Sequence, residues 1–206
     1  MGREVLAALL ADRRYSAVHS VGRRSAAFQH AKLTHHIVEL GSLTTLRGVG
    51  HVDDVFIALG TTIRAAGSQA AFRAVDFDAV VAVARAAKGL GATRLGVVSS
   101  MGADAHSRVF YNRVKGEMEA ALAQLGYQTL VLARPSLLDG DRRALAQATR
   151  PVERWGLAAV SLLRPLIPAN YRAITAQRVA QALVHAVSSS GPGVRVLSSG
   201  DMQFGQ

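Results

Sequence analysis

The chain has 206 residues, half of them hydrophobic, and contains no cysteine, which predicts a substantial core and excludes disulfides and thiolate metal sites. The formal net charge of +10 comes almost entirely from dispersed arginines, so it suits an anionic small molecule or an acidic partner as well as a nucleic acid. Without a basic run, a zinc-finger motif or an RNA-recognition motif, we predict no nucleic-acid binding. No segment resembles a signal peptide, so a cytoplasmic location is expected by default.

Helix and strand signals alternate in the first half of the chain. Apolar spacing predicts a helix at Val5 to Ala11, followed by strands at Ala17 to Val21, His36 to Leu40 and Asp54 to Leu59. The third strand is a continuous apolar run, which is typical of a strand buried on both faces of a parallel sheet. A helix is then predicted from Asp76, a residue type suited to an N-cap, to Gly89.

The second half continues the alternation. It predicts strands at Arg94 to Ser100, Thr129 to Ala133 and Val194 to Leu197, and helices at Arg108 to Leu125, Pro151 to Leu163 and Ala176 to Ser188. The apolar stretch after Trp155 falls well short of the roughly 20 residues that a membrane-spanning helix needs. The pattern therefore predicts one α/β domain over residues 1–206, with a doubly wound parallel sheet and a small C-terminal helical substrate region from about residue 139.

The helix from Arg108 carries the pair of residues with the clearest chemistry. Tyr111 and Lys115 are four residues apart, so on a helix they lie on the same face. At that spacing the lysine ammonium can stabilise the phenolate form of the tyrosine. The pair therefore indicates proton transfer at neutral pH.

Several further motifs accompany this pair. They are Val21-Gly22-Arg23-Arg24, Ala58-Leu59-Gly60-Thr61-Thr62, Val75-Asp76-Phe77-Asp78, Val98-Ser99-Ser100-Met101-Gly102-Ala103-Asp104, Tyr111-Asn112-Arg113-Val114-Lys115-Gly116-Glu117 and Arg134-Pro135-Ser136. With these motifs, the chain from Gly2 to about residue 190 resembles the atypical short-chain dehydrogenase/reductase-like NAD(P)H-binding proteins, close to their Tat-interacting-protein-like oxidoreductase branch.

The resemblance implies roles for individual residues. Tyr111 would pass a proton to or from a substrate oxygen while hydride moves on the nicotinamide, and Lys115 would also bond the nicotinamide ribose. Ser99 or Ser100 would orient and polarise the substrate carbonyl, and both remain candidates because the strand register decides which one points into the site. The implied cofactor-binding residues are Gly2, Arg23, Arg24, Leu59, Gly60, Thr61, Thr62, Lys115 and Pro135.

The arginines after the first predicted strand bear on the choice of coenzyme. In a Rossmann domain an acidic residue there accepts the ribose hydroxyls of NAD, whereas an arginine suits the 2′-phosphate of NADP. Arg23 and Arg24 therefore favour NADP.

The chain departs from the family pattern at its beginning. The family has a first strand and a glycine-rich turn before the first helix, and only Gly2 matches that turn here. In the strand order 3-2-1-4-5-6 this strand lies at the centre of the sheet. We therefore expect a Rossmann-type sheet that is truncated at its N-terminus and lacks its first strand, and we expect upstream codons to encode it.

No metal site is predicted. Asp53 and Asp54 are adjacent on a strand and diverge, so a cap or turn role is favoured. His35 and His36 are neighbours that cannot converge on one metal, and the other five histidines are scattered along the chain. The function predicted is an NADP-dependent oxidoreductase or isomerase acting on a small carbonyl or hydroxyl substrate, with a possible homodimer as its assembly. The alternative is a non-catalytic module on the same fold that senses NADPH or binds a protein.

Overall fold

The computed structural model describes residues 1–23, 29–39, 48–136, 170 and 172–204. Its helices are α1 (Gly2–Ala11), α2 (Ile63–Ala66), α3 (Gln69–Arg73), a π-helical turn (Ala74–Ala79), α4 (Val80–Gly89), α5 (Phe110–Ala123), α6 (Ala176–Ser189) and α7 (Ser199–Phe204). Its strands are β1 (Val18–Gly22), β2 (Leu33–Ile37), β3 (Asp54–Ile57), β4 (Arg94–Val98), β5 (Thr129–Arg134) and β6 (Gly193–Ser198).

All strand pairs in these residues are parallel, but they form two sheets. One sheet has the order β1-β2, and the other has the order β3-β4-β5-β6. In the described part of the chain no ladder joins β1 to β3, and a groove of about 560 Å³ is lined by both strands and by α1. The predicted Rossmann-type parallel sheet is confirmed. Among the described residues no strand lies between β1 and β3, and the truncation at the N-terminus stays a prediction.

Helices pack on both faces of the four-stranded sheet. On one face, Leu95 of β4 and Leu130 of β5 pack with residues of α4 and α5. On the other face, Val131 of β5 packs with Leu183 of α6. Because successive residues of β5 point to opposite faces, its nearly uniform apolar sequence serves both layers. Helix α1 then packs on α6, which completes the doubly wound arrangement.

The helix predicted to begin at Asp76 begins earlier. Ser68 caps α3, where its hydroxyl accepts a hydrogen bond from the Ala71 amide, and the helical path continues through the π-helical turn into α4. Asp76 lies inside this path and is fully buried. Its assignment as an N-cap was therefore wrong, because an acidic residue before an apolar helix has the sequence appearance of a cap even when it is buried.

The second strand also differs from the prediction. It spans Leu33–Ile37 rather than His36 to Leu40, because the register with β1 pairs Leu33 with Val18 and Ile37 with Gly22. The predicted helix at Pro151 to Leu163, and Leu40, lie outside the described residues. Of the helices that the structure describes, none is long and apolar enough to cross a membrane.

Candidate functional site

The predicted site residues follow the strands of the larger sheet. Gly60 lies shortly after β3, Ser99 immediately after β4 and Pro135 immediately after β5. Because these strands are parallel, their carboxyl ends meet at one edge, where open α/β sheets bind ligands. Helix α5 begins after the loop that leaves this edge and carries the tyrosine and the lysine.

Lys115 is held in a buried ion pair. Its Nζ lies 2.7 Å from Oδ1 of Asp76, and the two side chains are only 4% and 1% exposed. The other carboxylate oxygen of Asp76 accepts a hydrogen bond of 2.8 Å from the Thr61 amide. Sequence reasoning missed this role for Asp76, although its motif was among those that carried the family resemblance.

Gly60 lies directly over this ion pair. A methyl group at this glycine would lie 3.4 Å from Oδ1 of Asp76 and 3.8 Å from Nζ of Lys115. The absence of a side chain therefore lets the turn after β3 come close to the lysine. The structure thus brings together Gly60, Thr61 and Lys115, which the sequence assigned to one site.

The ring of Tyr111 packs against Phe72, which lies one helical turn before Asp76. Its ring centroid lies 5.4 Å from that of Phe72, which is completely buried. Tyr111 itself is half-buried. The phenylalanine therefore supports the ring at the place where α5 leaves the site edge.

Two buried hydroxyl groups lie at the end of β4. The Ser99 amide donates to the Ala133 carbonyl at 2.7 Å, which extends the pairing of β4 with β5 past the end of the strand. The Oγ atoms of Ser99 and Ser100 are both buried, and neither has a hydrogen-bond partner among the residues that the structure describes. Buried polar groups are normally satisfied, so these hydroxyls are available to a ligand. Both serines therefore remain candidates.

The loop after Ser100 packs closely on α5, where Asp104 and Ala105 contact Gly116. At Gly116 a methyl group would lie 2.1 Å from the Ala105 nitrogen and 2.2 Å from the Asp104 carbonyl carbon, so no side chain fits there. The Asp104 amide also donates to the Asn112 carbonyl at 3.0 Å. Together these contacts hold the serine loop against the helix of Tyr111 and Lys115.

The groove between β1 and β3 contains other predicted cofactor residues. Gly2 and Leu59 both line it, and so does Gly22, which Arg23 directly follows. Arg24 lies outside the described residues. Gly2 and Gly22 have no side chain, so the backbone at the start of α1 and at the end of β1 is accessible from the groove. A ligand that contacts backbone closely needs such access.

Three other predicted cofactor residues already have internal partners. The Thr61 amide donates to Asp76, as described above. The Thr62 hydroxyl caps α2 by accepting a hydrogen bond from the Ala65 amide. The Pro135 carbonyl accepts a hydrogen bond from the Met101 amide. These contacts build the shape of the site edge. They leave the roles of Thr62 and Pro135 toward a cofactor as predictions.

The acidic and imidazole side chains that we considered as metal ligands have other surroundings. The Asp54 carboxylate pairs with the Arg94 guanidinium and accepts from the Tyr15 hydroxyl at 2.7 Å, so the cap or turn role was wrong for this residue. Burial and this hydrogen bond raise the pKa of Tyr15. His19, which was counted among the scattered histidines, lies next to His36, with 2.9 Å between His19 Nδ1 on β1 and His36 Nε2 on β2. No group of three metal-ligating side chains occurs in the described ranges.

Solved structures share this architecture at low sequence identity. A short-chain dehydrogenase family protein from Francisella tularensis superposes with a TM-score of 0.68 at 15% identity, covering 98% of this chain and 93% of that protein. The Bordetella bronchiseptica enzyme WbmH, solved in complex with NAD+, gives a TM-score of 0.64 at 14% identity over 97% of this chain and 72% of its own. The fold is therefore that of the Rossmann proteins of the short-chain dehydrogenase/reductase class.

Sequence relatives give the family more closely. The Emericella nidulans protein fmp52 is 33% identical over 166 residues, covering 74% of this chain and 67% of the relative. Rat protein HTATIP2 is 35% identical over 156 residues, covering 74% of this chain and 62% of the relative. The chain belongs to the family of FMP52 and HTATIP2, atypical members of the short-chain dehydrogenase/reductase class. No protein-family model matches the sequence.

The relatives correct one expectation. The fungal FMP52 proteins are named as mitochondrial, including those of Emericella nidulans, Coccidioides immitis and Aspergillus niger. These names contradict the cytoplasmic location that we expected by default, so that expectation was wrong. The chain spans about two thirds of the length of the first two relatives.

Proposed function

We propose that the chain is an NADP-dependent oxidoreductase or isomerase of the short-chain dehydrogenase type, acting on a small carbonyl or hydroxyl substrate. One observation carries the proposal. The buried hydroxyls of Ser99 and Ser100, which have no partner within residues 1–23, 29–39, 48–136, 170 and 172–204, lie at the same sheet edge as the helix of Tyr111 and Lys115. An unsatisfied hydroxyl is costly unless a ligand supplies its partner, so this edge is suited to a polar substrate oxygen.

The proposed chemistry assigns each side chain one task. One of the two serine hydroxyls donates a hydrogen bond to the substrate oxygen and so polarises the carbonyl. Tyr111 donates its phenolic proton to that oxygen during reduction and recovers a proton during oxidation. Lys115 holds its positive charge at this edge of the sheet, one helical turn after Tyr111.

A nicotinamide cofactor fits the residues at this edge. The cofactor supplies or accepts the hydride when it is bound. The groove between β1 and β3, with Gly2 and Gly22 in its wall, is suited to the adenosine and pyrophosphate, and Lys115 is suited to the nicotinamide ribose. The solved relatives in complex with NAD, such as WbmH, support a cofactor of this class.

Arg23 supports NADP over NAD. It directly follows the end of β1, where a guanidinium can pair with the 2′-phosphate. A charge-assisted pair of about 1.5 to 3 kcal/mol corresponds to a preference of at least about tenfold.

Coenzyme titration tests the proposal. NADPH and NADH should be titrated into the wild-type chain and Arg23→Ala, with Arg85→Ala on α4 as a matched arginine control. We expect NADPH to bind at least about tenfold more tightly than NADH, and we expect Arg23→Ala alone to reduce that preference. Equal affinity for the two coenzymes in the wild type contradicts the NADP assignment. Binding of NADPH without reduction of any small carbonyl would favour the sensing module instead.

A further inference from the structure

We propose that Asp76 is a positioning residue, which holds the Lys115 ammonium under the Gly60-Thr61 turn and so sets the affinity of the site for NADPH. The inference rests on the proposed function, because it gives the lysine its task toward the cofactor. Asp76 acts through Lys115 and through the turn after β3, rather than by contact with substrate.

Two contacts at the same spacing, an aromatic contact and an ion pair, join the helical path of Asp76 to α5. Phe72 and Asp76 are four residues apart, as are Tyr111 and Lys115. The ring centroids of Phe72 and Tyr111 lie 5.4 Å apart. The Asp76 carboxylate and the Lys115 ammonium form the ion pair, with 2.7 Å between Oδ1 and Nζ. The four side chains therefore form a two-point clamp that fixes both members of the tyrosine and lysine pair.

The local helix geometry places the acid for this contact. Asp76 lies in the π-helical turn Ala74–Ala79, where the backbone departs from regular α-helical bonding. Such turns are rare and frequently occur at functional sites. The irregular turn occurs at the residue that faces Lys115, so the departure from regular helix coincides with the contact that positions the lysine.

The charge of Asp76 matters because both partners are almost completely buried. A buried ammonium without a counter-charge is unfavourable, and it responds by moving toward water or by losing its proton. The first response would move the lysine from its place under Gly60, and the second would remove the positive charge that the cofactor site needs. Asp76 also accepts from the Thr61 amide, so one carboxylate fixes the lysine and the turn together.

Asp76→Asn removes the negative charge and keeps the size of the side chain. Its amide oxygen can still accept the hydrogen bond from the Thr61 amide. We expect this variant to bind NADPH about tenfold more weakly or worse, since the ammonium loses its charge-assisted partner. Glu119→Gln is the matched control, because it also removes one charge from an ion pair whose carboxylate is nearly buried, at 6% exposed beside Arg134. Glu119 lies on α5 one turn beyond Lys115 and does not line the groove between β1 and β3. We expect Glu119→Gln to lower the melting temperature and to leave NADPH affinity within about twofold of wild type.

A double-mutant comparison tests whether Asp76 acts through the lysine. Lys115→Met and Asp76→Asn/Lys115→Met should bind NADPH equally weakly, because the carboxylate has nothing left to position. The double variant also removes both buried charges, so it should fold even if Asp76→Asn does not. A further loss of affinity in the double variant, or equal losses in Asp76→Asn and Glu119→Gln, would overturn the positioning role. If the wild type binds NADPH and Asp76→Asn binds it equally well, the positioning role of Asp76 is wrong and the proposed function stands. If the wild type binds no NADPH, the proposed function is wrong as well.

Discussion

Replacing Gly116 by alanine should lower the stability of the chain and weaken its binding site, although alanine normally favours a helix. The glycine lies in the middle of α5, where the loop of Asp104 and Ala105 crosses it. A methyl group there would lie 2.1 Å from the Ala105 nitrogen, whereas ordinary contacts begin at 3.4 Å. Backbone atoms form this contact, so a side-chain rotation cannot relieve it and the loop must move by about 1 Å.

The magnitude follows from two opposing contributions. Overpacking of this kind costs about 1 to 3 kcal/mol, and the change from glycine to alanine within a helix returns about 0.5 to 1 kcal/mol. The difference is a net loss of up to about 2.5 kcal/mol, and the contact with backbone at 2.1 Å favours the upper part of that range. A net loss of about 1 to 2.5 kcal/mol lowers the melting temperature of a chain of this size by roughly 2 to 10 °C. Because the same loop begins at the two serines, NADPH-dependent turnover should fall as well.

Gly89→Ala is the matched control for this prediction. Gly89 is also helical, at the end of α4, but a methyl group at that position would meet no atom within 4 Å. The melting temperature, followed by circular dichroism, should therefore be unchanged or slightly higher in Gly89→Ala. If Gly116→Ala melts at or above the wild-type temperature, the close approach of the loop to α5 is wrong.

Two further predictions concern the smaller sheet. Backbone amides of β1 and β2 should exchange with deuterium faster than those of β4 and β5. The reason is that a two-stranded sheet is only marginally stable by itself, whereas β5 is buried almost throughout. Equal protection of the two sets of amides would contradict the separation of the two sheets. Stability should also fall as the pH drops below 6.5, because burial and the neighbouring charges of His19 and His35 hold the pKa of His36 below its ordinary value of 6.5. The unfolded chain then binds more protons at His36 than the folded chain. Melting temperatures at pH 7 and 5 should differ less in His36→Gln than in wild type, and an unchanged difference would show that His36 does not contribute.

Much of the fold could be predicted from local patterns. The runs that became β3, β4 and β5 are continuous and apolar, and Gly89 and Gly91 mark the end of α4, where Gly91 has a φ of +99°. The position of β2 was less predictable, because its sequence Leu33-Thr34-His35-His36-Ile37 is weakly apolar and only partly buried. Its register is set by pairing with β1, which a local pattern does not contain.

The candidate site shows the same division. Tyr111 and Lys115 could be placed on one helix face from spacing alone. The ion pair of Lys115 with Asp76 could not, because it joins residues 39 positions apart on different helices. Burial is a tertiary property, so the sequence could not distinguish an acid that caps a helix from an acid that neutralises a buried lysine.

The most direct test of the proposed function measures NADPH consumption with a panel of small aldehydes and ketones for wild type and Tyr111→Phe, together with the NADPH Kd of each. The phenylalanine ring retains the packing on Phe72 but has no transferable proton. We predict that the wild type reduces at least one of these compounds, and that Tyr111→Phe binds NADPH within a few-fold of wild type while losing turnover. Turnover by Tyr111→Phe at the wild-type rate would contradict the proposed role of Tyr111.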